Sequence, residues 1–456
     1  MEVPGKLQQL LVFLKRDFLS KIGNKQYLFI NLLEAPFLAF LLAFIVRYSP
    51  DGESYSFQEN LNIPVFFFIS VIVALFMGLT VSAEEIIKDR MILKRESFLN
   101  LSRSSYLFSK VLLLFGLSAI QTILFAVIGT AILEIKAMTF SYWLILFSTS
   151  CFANMLGLNI SSAFNSVVTI YILIPLLIIP QLILSGVVVS FDKLNGTITT
   201  RDKVPIIGEV MASRWAFEAM AVDQFVSNDY NKPLYPLERD MANAEYKSVN
   251  YIPQVLALSK SALASKGQNQ ERYEDALETL KNEISKELQV VGQGQFDISR
   301  IAPESFDQKV AEDLETFLDA LRKFYNNRRK KADEKRESYL AENSSDEETR
   351  LAYLDLKGDY NNKRISLMVK NTSVSERVVR EGNELVQKVY PIYAKPAPSH
   401  PFDFRTIFYY PEKHFLGAII STKTFNVLVI WSMTLVLFIT LYFDVLKKLI
   451  SGRKRG

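Results

Sequence analysis

The sequence contains few of the residues and motifs on which enzymes depend. Its 456 residues include one cysteine, Cys151, which excludes a disulfide bond within the chain. Its two histidines, His400 and His414, do not occur in a spacing that binds a metal ion. No G-x-S-x-G or H-E-x-x-H motif occurs, which argues against a hydrolase or a membrane protease. No G-x-x-x-x-G-K-[ST] phosphate loop occurs either, so we expect no ATP hydrolysis by this chain, no catalytic residues and no metal site.

A strong net charge is also lacking. Lys and Arg number 52 against 48 Asp and Glu, a net charge of +4, so nucleic acid is not an expected partner. The sequence is rich instead in long apolar runs. Six of them reach the roughly 20 residues that a helix needs to cross a bilayer, at about 27–48, 62–87, 105–133, 139–163, 166–190 and 422–446. The predicted fold class is therefore an all-α integral membrane protein with six transmembrane helices, the first five of them within 27–190.

The distribution of Lys and Arg orients these helices. Basic residues precede the first run, occupy 88–104 between the second and third runs, and follow the last run, whereas 49–62 contains none. Cytoplasmic loops carry the excess of Lys and Arg. The pattern therefore predicts a multi-pass protein of the cell membrane, specifically a bacterial inner membrane, with both termini cytoplasmic and 191–421 outside.

The segments outside the apolar runs predict further helices. Apolar residues at helical spacing within 1–26 predict an amphipathic helix at the cytoplasmic interface, with a soluble helix packed on another domain as the alternative. Residues 191–227 are predicted to form an outer loop or re-entrant region, 228–405 a large extracytoplasmic helical domain inserted between spans five and six, and 406–456 the last span with a basic tail. Two apolar stripes support the helical domain: Tyr273, Leu277, Leu280, Ile284 and Leu288, and Phe306, Val310, Leu314, Phe317, Leu321 and Phe324.

A dense charge run, EEIIKDRMILKRES at 84–97, stands between the second and third apolar runs. Glu84 and Glu85 lie at the end of an apolar helix, where a carboxylate needs a partner. Lys88 and Arg90 follow within one or two helical turns, at a spacing that allows ion pairs. Two interpretations remain open, a plain connector and a rigid lever that docks a cytoplasmic partner.

Outside the long insertion, the sequence resembles the membrane domain of ABC-2 type exporters, in particular the G-type half-transporters. The matching features occur in one order: an amphipathic helix before span one, a Glu ending span two, a charged stretch, an SSY start to span three at 104–106, LSGVVVS at 184–190 and SRWAFEAM at 213–220. The long region between spans five and six departs from the family pattern.

The resemblance implies three sets of functional residues. The surface that contacts an ATP-binding subunit would contain Glu84, Arg90, Glu96, Phe98, Arg103 and Tyr106. The substrate pathway would contain Phe76 and Met77 of span two and Pro175, Ile179 and Leu182 of span five. Val187 and Val188 would form a plug at its outer end, and ordinary helix packing is the alternative role for every pathway residue.

Three hypotheses for function follow. The first is the permease subunit of an ATP-driven ABC exporter, which moves a hydrophobic or amphipathic substrate outward by alternating access. It would act as a homodimer or a paired half-transporter, and an ATP-binding subunit or domain would bind ATP and Mg. The second is an ABC-type mechanotransmitter that drives an extracytoplasmic partner protein through the helical domain. The third is a membrane anchor or sensor without an ATPase. Membrane lipid is a partner in all three.

Overall fold

The computed structural model describes residues 5–49, 54–95, 102–199, 202–292, 294–398 and 400–452. Most of them are helical. The first helices are α1 Lys6–Gly23, α2 Lys25–Val46, α3 Ile63–Ser82, α4 Glu85–Arg95, α5 Arg103–Ile132, α6 Thr139–Ala163, α7 Val167–Ile183, α8 Ile206–Glu209 and α9 Ala212–Val226. They are followed by α10 Asn231–Glu245, α11 Ile252–Ser265, α12 Gln270–Val291, α13 Gln308–Glu342, α14 Glu347–Tyr360, α15 Lys363–Lys370, α16 Thr422–Tyr442 and α17 Val445–Gly452.

Five of the helical segments are long and apolar enough to cross a membrane: α2, Ile63–Arg95 (α3 with α4), α5, α6 and α16. The chain is therefore a mostly helical, multi-pass membrane protein. The predicted fifth span, 166–190, forms a shorter apolar helix, α7, of 17 residues. It ends at Ile183 because Gly186 adopts φ +79°, a left-handed conformation that a helix does not accommodate. Pro175 and Pro180 both lie inside α7.

Helix α6 is the centre of the membrane helices and packs closely on α3. A Cβ placed on Gly78 of α3 would lie 2.5 Å from the carbonyl oxygen of Ser150 and 2.7 Å from Cβ of Ala153. A Cβ on Gly157 of α6 would similarly overlap Ser82. Small residues allow two membrane helices to approach this closely, since van der Waals packing drives their association in lipid.

Residues 244–325 fold mainly as helices around a second apolar core. Every residue of the stripe predicted on α12, Tyr273 to Leu288, is buried, and so are the stripe residues of α13 except its last. Phe324 is 41% exposed and the adjacent Tyr325 is buried instead. The prediction failed at that one position because a helix turns 100° per residue and the stripe drifts around it.

Two short antiparallel hairpins accompany the predicted helices. Strands β1 (Val378–Glu381) and β2 (Glu384–Gln387) form one hairpin, and β3 (Glu412–Phe415) and β4 (Ala418–Ser421) form the other. Four-residue strands are too short to show a convincing alternation in sequence. In both turns a glycine takes a positive φ, +55° at Gly382 and +83° at Gly417.

The outer helices are tied to the membrane helices through Asn362. Its side-chain amide donates to the carbonyl oxygens of Phe57 and Asn60, in the loop between α2 and α3, at 2.7 and 2.8 Å. Its side-chain oxygen caps α15 by accepting from the backbone N–H of Ile365 at 2.9 Å. One buried side chain thus fixes the start of α15 against the loop that begins α3.

Candidate functional site

The charged helix α4 is attached directly to the end of α6. A break at Ala83 and Glu84 separates it from α3. The hydroxyl of Ser161, on α6, accepts hydrogen bonds from the backbone N–H groups of Ile86 and Ile87 at 3.0 and 3.1 Å. The N–H groups of a first helical turn have no partner within the helix. Ser161 satisfies two of them and holds α4 in place.

Lys110 of α5 is the centre of a buried charge cluster. Its ammonium group lies 2.9 Å from the carboxylate of Asp17 on α1, and 3.3 and 2.7 Å from those of Glu85 and Asp89 on α4. The Lys110 side chain is 4% exposed. Lys21 of α1 contacts the other oxygen of Glu85 at 2.5 Å, and we call these five residues the Lys110 cluster. Because a buried charge is costly unless it is paired, the cluster fastens both α1 and α4 to α5.

Lys21 of the Lys110 cluster stays protonated, and Asp89 of the cluster contacts an aromatic pair. Burial alone would lower the pKa of Lys21, but the charges and hydrogen bonds of Glu85 and Tyr27 outweigh it, and the pKa of Lys21 lies above its ordinary value. The hydroxyl of Tyr106 donates to Asp89 at 3.1 Å. The Tyr106 ring meets Phe13 of α1 edge to face, with ring centroids 5.8 Å apart.

Arg90 of α4 binds the exposed carbonyl end of α6. Its guanidinium donates to the carbonyl oxygens of Ser162 and Phe164 at 3.1 and 2.9 Å, and also to the side chain of Asn165. The last carbonyl groups of a helix lack partners within it and carry a partial negative charge. Arg90 therefore acts as a cap of α6. Of the two basic residues that the sequence placed within reach of Glu84, Lys88 forms the ion pair and Arg90 does not.

Arg103 connects the start of α5 to the end of α16. It forms an ion pair with Asp444 at 2.7 Å and donates to the carbonyl oxygen of Leu441 at 3.2 Å. A cleft of about 620 Å³ opens between α4, α5 and α16, with Phe13 and Tyr106 at its apolar side and Arg103 at its rim. The ends of α3, α6 and α16 thus converge on one joint around α4.

At the opposite ends of the helices, α9 gathers α7 and α16. Ser213 donates from its backbone N–H and its hydroxyl to the side-chain and backbone oxygens of Gln181, in α7, at 3.0 and 2.6 Å. Asn426, near the beginning of α16, donates to the carbonyl oxygen of Trp215 at 2.9 Å. The end of α7 and the beginning of α16 therefore lie at the same level.

The SRWAFEAM segment also supplies a fully buried carboxylate. Glu218 accepts from the ammonium group of Lys413 on β3 and from the amide of Asn426, each at 2.9 Å, and lies 3.4 Å from Arg214. Burial alone would raise the pKa of Glu218, but the positive charges of Arg214 and Lys413 outweigh it, and the pKa lies below its ordinary value. An ionised Glu218 joins α9, β3 and α16 in one buried contact.

The first half of this chain matches a known family of membrane domains. Residues 8–225, from α1 into α9, match the ABC-2 type transporter family over a segment that contains the whole Lys110 cluster. We refer to the matched residues 8–225 as the ABC-2 domain. In ABC transporters, this domain is the membrane permease part.

A curated relative supports the same assignment. The chain is 23% identical over 227 residues to ABC transporter G family member STR of Medicago truncatula. The alignment covers 49% of this chain and 26% of the relative. The chain thus spans about a quarter of the length of that relative.

The residues that the resemblance assigned to a substrate pathway lie at different depths in the ABC-2 domain. Phe76 of α3 is 41% and Ile179 of α7 is 50% exposed. Pro175 of α7 is exposed as well, and Leu182 is partly buried. Met77 is 1% exposed and packs within the core of the ABC-2 domain. In this single chain, therefore, Met77 is buried whereas Phe76, Pro175 and Ile179 are exposed.

The two plug residues lie beyond the helix that was predicted to carry them. Val187 and Val188 follow the end of α7 in a non-helical segment. Val187 is partly buried against the core of the ABC-2 domain, and Val188 is 60% exposed. The backbone N–H of Val187 donates to the hydroxyl of Ser185 at 3.2 Å, which helps to stabilise the turn.

Of the predicted coupling residues, Glu96 and Phe98 lie outside the described residues. The structure brings Arg90, Arg103 and Tyr106 to the joint, but with partners that the sequence analysis did not assign. It also adds Asp17 and Lys110, which sequence reasoning missed. A signal for Lys110 was present, because a single lysine inside an apolar run is a default functional hypothesis.

Proposed function

We propose that this chain is the membrane-spanning permease subunit of an ATP-driven ABC exporter for a hydrophobic or amphipathic substrate. The observation that carries the proposal is the Lys110 cluster. It joins the interface helix α1, the charged helix α4 and the membrane helix α5 within a few ångströms of the loop that the resemblance assigns to ATPase contact. A push on α4 would therefore reach three helices at once.

Contacts at both ends of α7 support six membrane spans. The start of α7 follows the α6 end that Arg90 caps, and the end of α16 contacts Arg103 at the same joint. The end of α7 and the start of α16 are both bound to α9. Helix α7 thus runs between the same two levels as α16, in the opposite direction. Its 17 residues extend about 26 Å, close to the roughly 30 Å of a bilayer core.

With six spans, the Lys and Arg pattern sets the orientation. The joint around α4 and both ends of the chain would face the cytoplasm of the cell, and α9 with residues 228–405 would lie outside. An ATP-binding subunit or domain would bind ATP and Mg and close on the joint. The exposed apolar residues of α3 and α7 would meet a second copy or a similar half-transporter. Alternating access requires two packed arrangements of these helices and no catalytic side chain.

The test is ATPase activity stimulated by substrate in proteoliposomes that contain this chain and the ATP-binding subunit purified with it. We expect Glu84→Ala and Arg90→Ala to insert and to bind the ATPase, yet to weaken the stimulation. Arg90 joins α4 to the end of α6, and Glu84 forms a side-chain hydrogen bond with Tyr171 of α7 as well as its ion pair with Lys88. Met91→Ala is the matched control, since Met91 is on the same helix and 71% exposed. Full stimulation in both variants would contradict the proposal that α4 transmits force.

A second candidate, the mechanotransmitter, is favoured by the attachment of the outer helices. Asn362 binds the loop that precedes α3, and the carboxylate of Glu412 on β3 accepts from Arg239 of α10 at 2.8 Å. Motion of the membrane helices would therefore be transmitted outward. ATPase activity that responds to an extracytoplasmic partner protein, with no substrate movement into vesicles, would favour this function over export.

A further inference from the structure

A cleft opens where the outer helices meet the end of α7. It has a volume of about 360 Å³, within the range of pockets that hold drug-sized ligands. One wall is the segment from Gly186 to Asp192, directly around the two plug valines, and the opposite wall is α15. Helix α15 lies outside the matched residues 8–225. The long insertion thus supplies half of a site at the outer end of the proposed pathway.

Part of the cleft lining is apolar. The rings of Phe191 and Phe408 meet edge to face, with centroids 5.4 Å apart. Leu367 of α15 lines the opposite side and is 54% exposed. A ligand that covered Leu367 and these rings would remove apolar surface from water, which favours binding.

The rim of the cleft is cationic. Lys388 pairs with Asp192 at 2.6 Å, and Lys203 pairs with Asp403 at 3.1 Å. Arg364 of α15 is exposed at the same rim and forms no ion pair within the part of the chain that the structure describes. Of the three cations that line the cleft, Arg364 is exposed, whereas Lys203 is partly buried and Lys388 is buried. Guanidinium groups suit phosphate and carboxylate groups because their N–H donors form paired hydrogen bonds.

We propose that this cleft binds an amphiphile with an anionic phosphate or carboxylate headgroup, with Arg364 at the headgroup and Leu367 and the Phe191–Phe408 pair at the apolar part. That such an amphiphile is the exported substrate rests on the proposed function above. That the cleft binds it does not, because the cleft lies in this chain alone.

The experiment measures binding to the purified full chain in maltoside micelles, without an ATPase. The probes are dihexanoyl phosphatidic acid, dihexanoyl phosphatidylcholine and inorganic phosphate. We expect the phosphatidic acid to bind about fivefold or more tightly than the other two, because only it offers both an apolar part and an unmasked anion. The proposal would be overturned if phosphatidylcholine, or inorganic phosphate, bound as tightly as the phosphatidic acid.

Substitutions then locate the site. Arg364→Gln should weaken binding of the phosphatidic acid by about fivefold or more, and Arg364→Lys should retain part of the affinity because it keeps the charge. Lys363→Gln is the matched control, since the adjacent Lys363 is also exposed and pairs with Glu59, which does not line the cleft. Leu367→Asn should weaken binding as well. If Arg364→Gln and Lys363→Gln bind equally, the headgroup is not where we place it. If the phosphatidic acid does not bind but substrate still stimulates the ATPase, this site is rejected and the proposed function stands. If the phosphatidic acid binds but substrate does not stimulate the ATPase, the proposed function is rejected and the site stands.

Discussion

Replacement of Lys110 by methionine is the most direct test of the joint. The substitution preserves most of the side-chain volume and removes the positive charge that three carboxylates share at 2.7, 2.9 and 3.3 Å. At an effective dielectric constant of 20, each of these pairs represents about 5–6 kcal/mol of Coulomb attraction. Most of that attraction is offset by the cost of removing the charges from water.

The loss of stability comes mainly from the carboxylates left behind. Removing one partner of a buried ion pair costs about 3–5 kcal/mol, since the remaining charge is buried without compensation. The side chains of Asp17, Glu85 and Asp89 are 7, 11 and 16% exposed, so little water can replace the ammonium group. We therefore expect Lys110→Met to lower the free energy of unfolding by about 3–5 kcal/mol.

Denaturant unfolding in mixed micelles would measure this change. The control is Lys88→Met, because Lys88 is 63% exposed in its ion pair with Glu84, and an exposed pair one helical turn apart contributes only about 0.3–0.5 kcal/mol. Adding Asp89→Asn to Lys110→Met should recover part of the loss, because it removes one of the uncompensated charges. If Lys110→Met unfolds like Lys88→Met, the cluster does not hold α1 and α4 to α5, and motion of α4 cannot reach α1 and α5 through it.

Two further predictions concern topology and the plug. The native cysteine is buried, so a single reporter cysteine can be introduced: Ser344→Cys should react with an impermeant maleimide from outside, and Met91→Cys only after permeabilisation. Reaction of position 344 from the cytoplasm would overturn the six-span orientation. If Val187 and Val188 close the pathway, their double substitution by alanine should preserve stability and raise basal ATPase activity or leak, since Val188 is 60% exposed. The control is Val168→Ala near the start of α7, where the side chain is 68% exposed; it should change neither stability nor basal ATPase activity. A stable double variant with unchanged flux would show that Val187 and Val188 do not form a plug.

The sequence alone was sufficient to locate most membrane helices, because apolarity and length are local properties. The predicted runs 27–48, 105–133 and 139–163 correspond to α2, α5 and α6 with ends that differ by two residues or fewer. The family could likewise be inferred from an order of short motifs, and the match over residues 8–225 confirmed it. The stripes on α12 and α13 were predictable for the same reason, because the spacing of apolar residues along a segment shows which face of its helix is apolar.

The partners of each charge were decided by the tertiary structure. Sequence spacing pointed to ion pairs one or two turns apart within residues 84–95, and Glu84 with Lys88 is such a pair. Arg90 and Glu85 instead bind groups on α6, α1 and α5, because a buried charge takes the partner that the fold brings within reach, whatever its distance along the chain. The same holds for Arg364, whose place beside the end of α7 depends on α15 being tied to a loop some 300 residues earlier by Asn362.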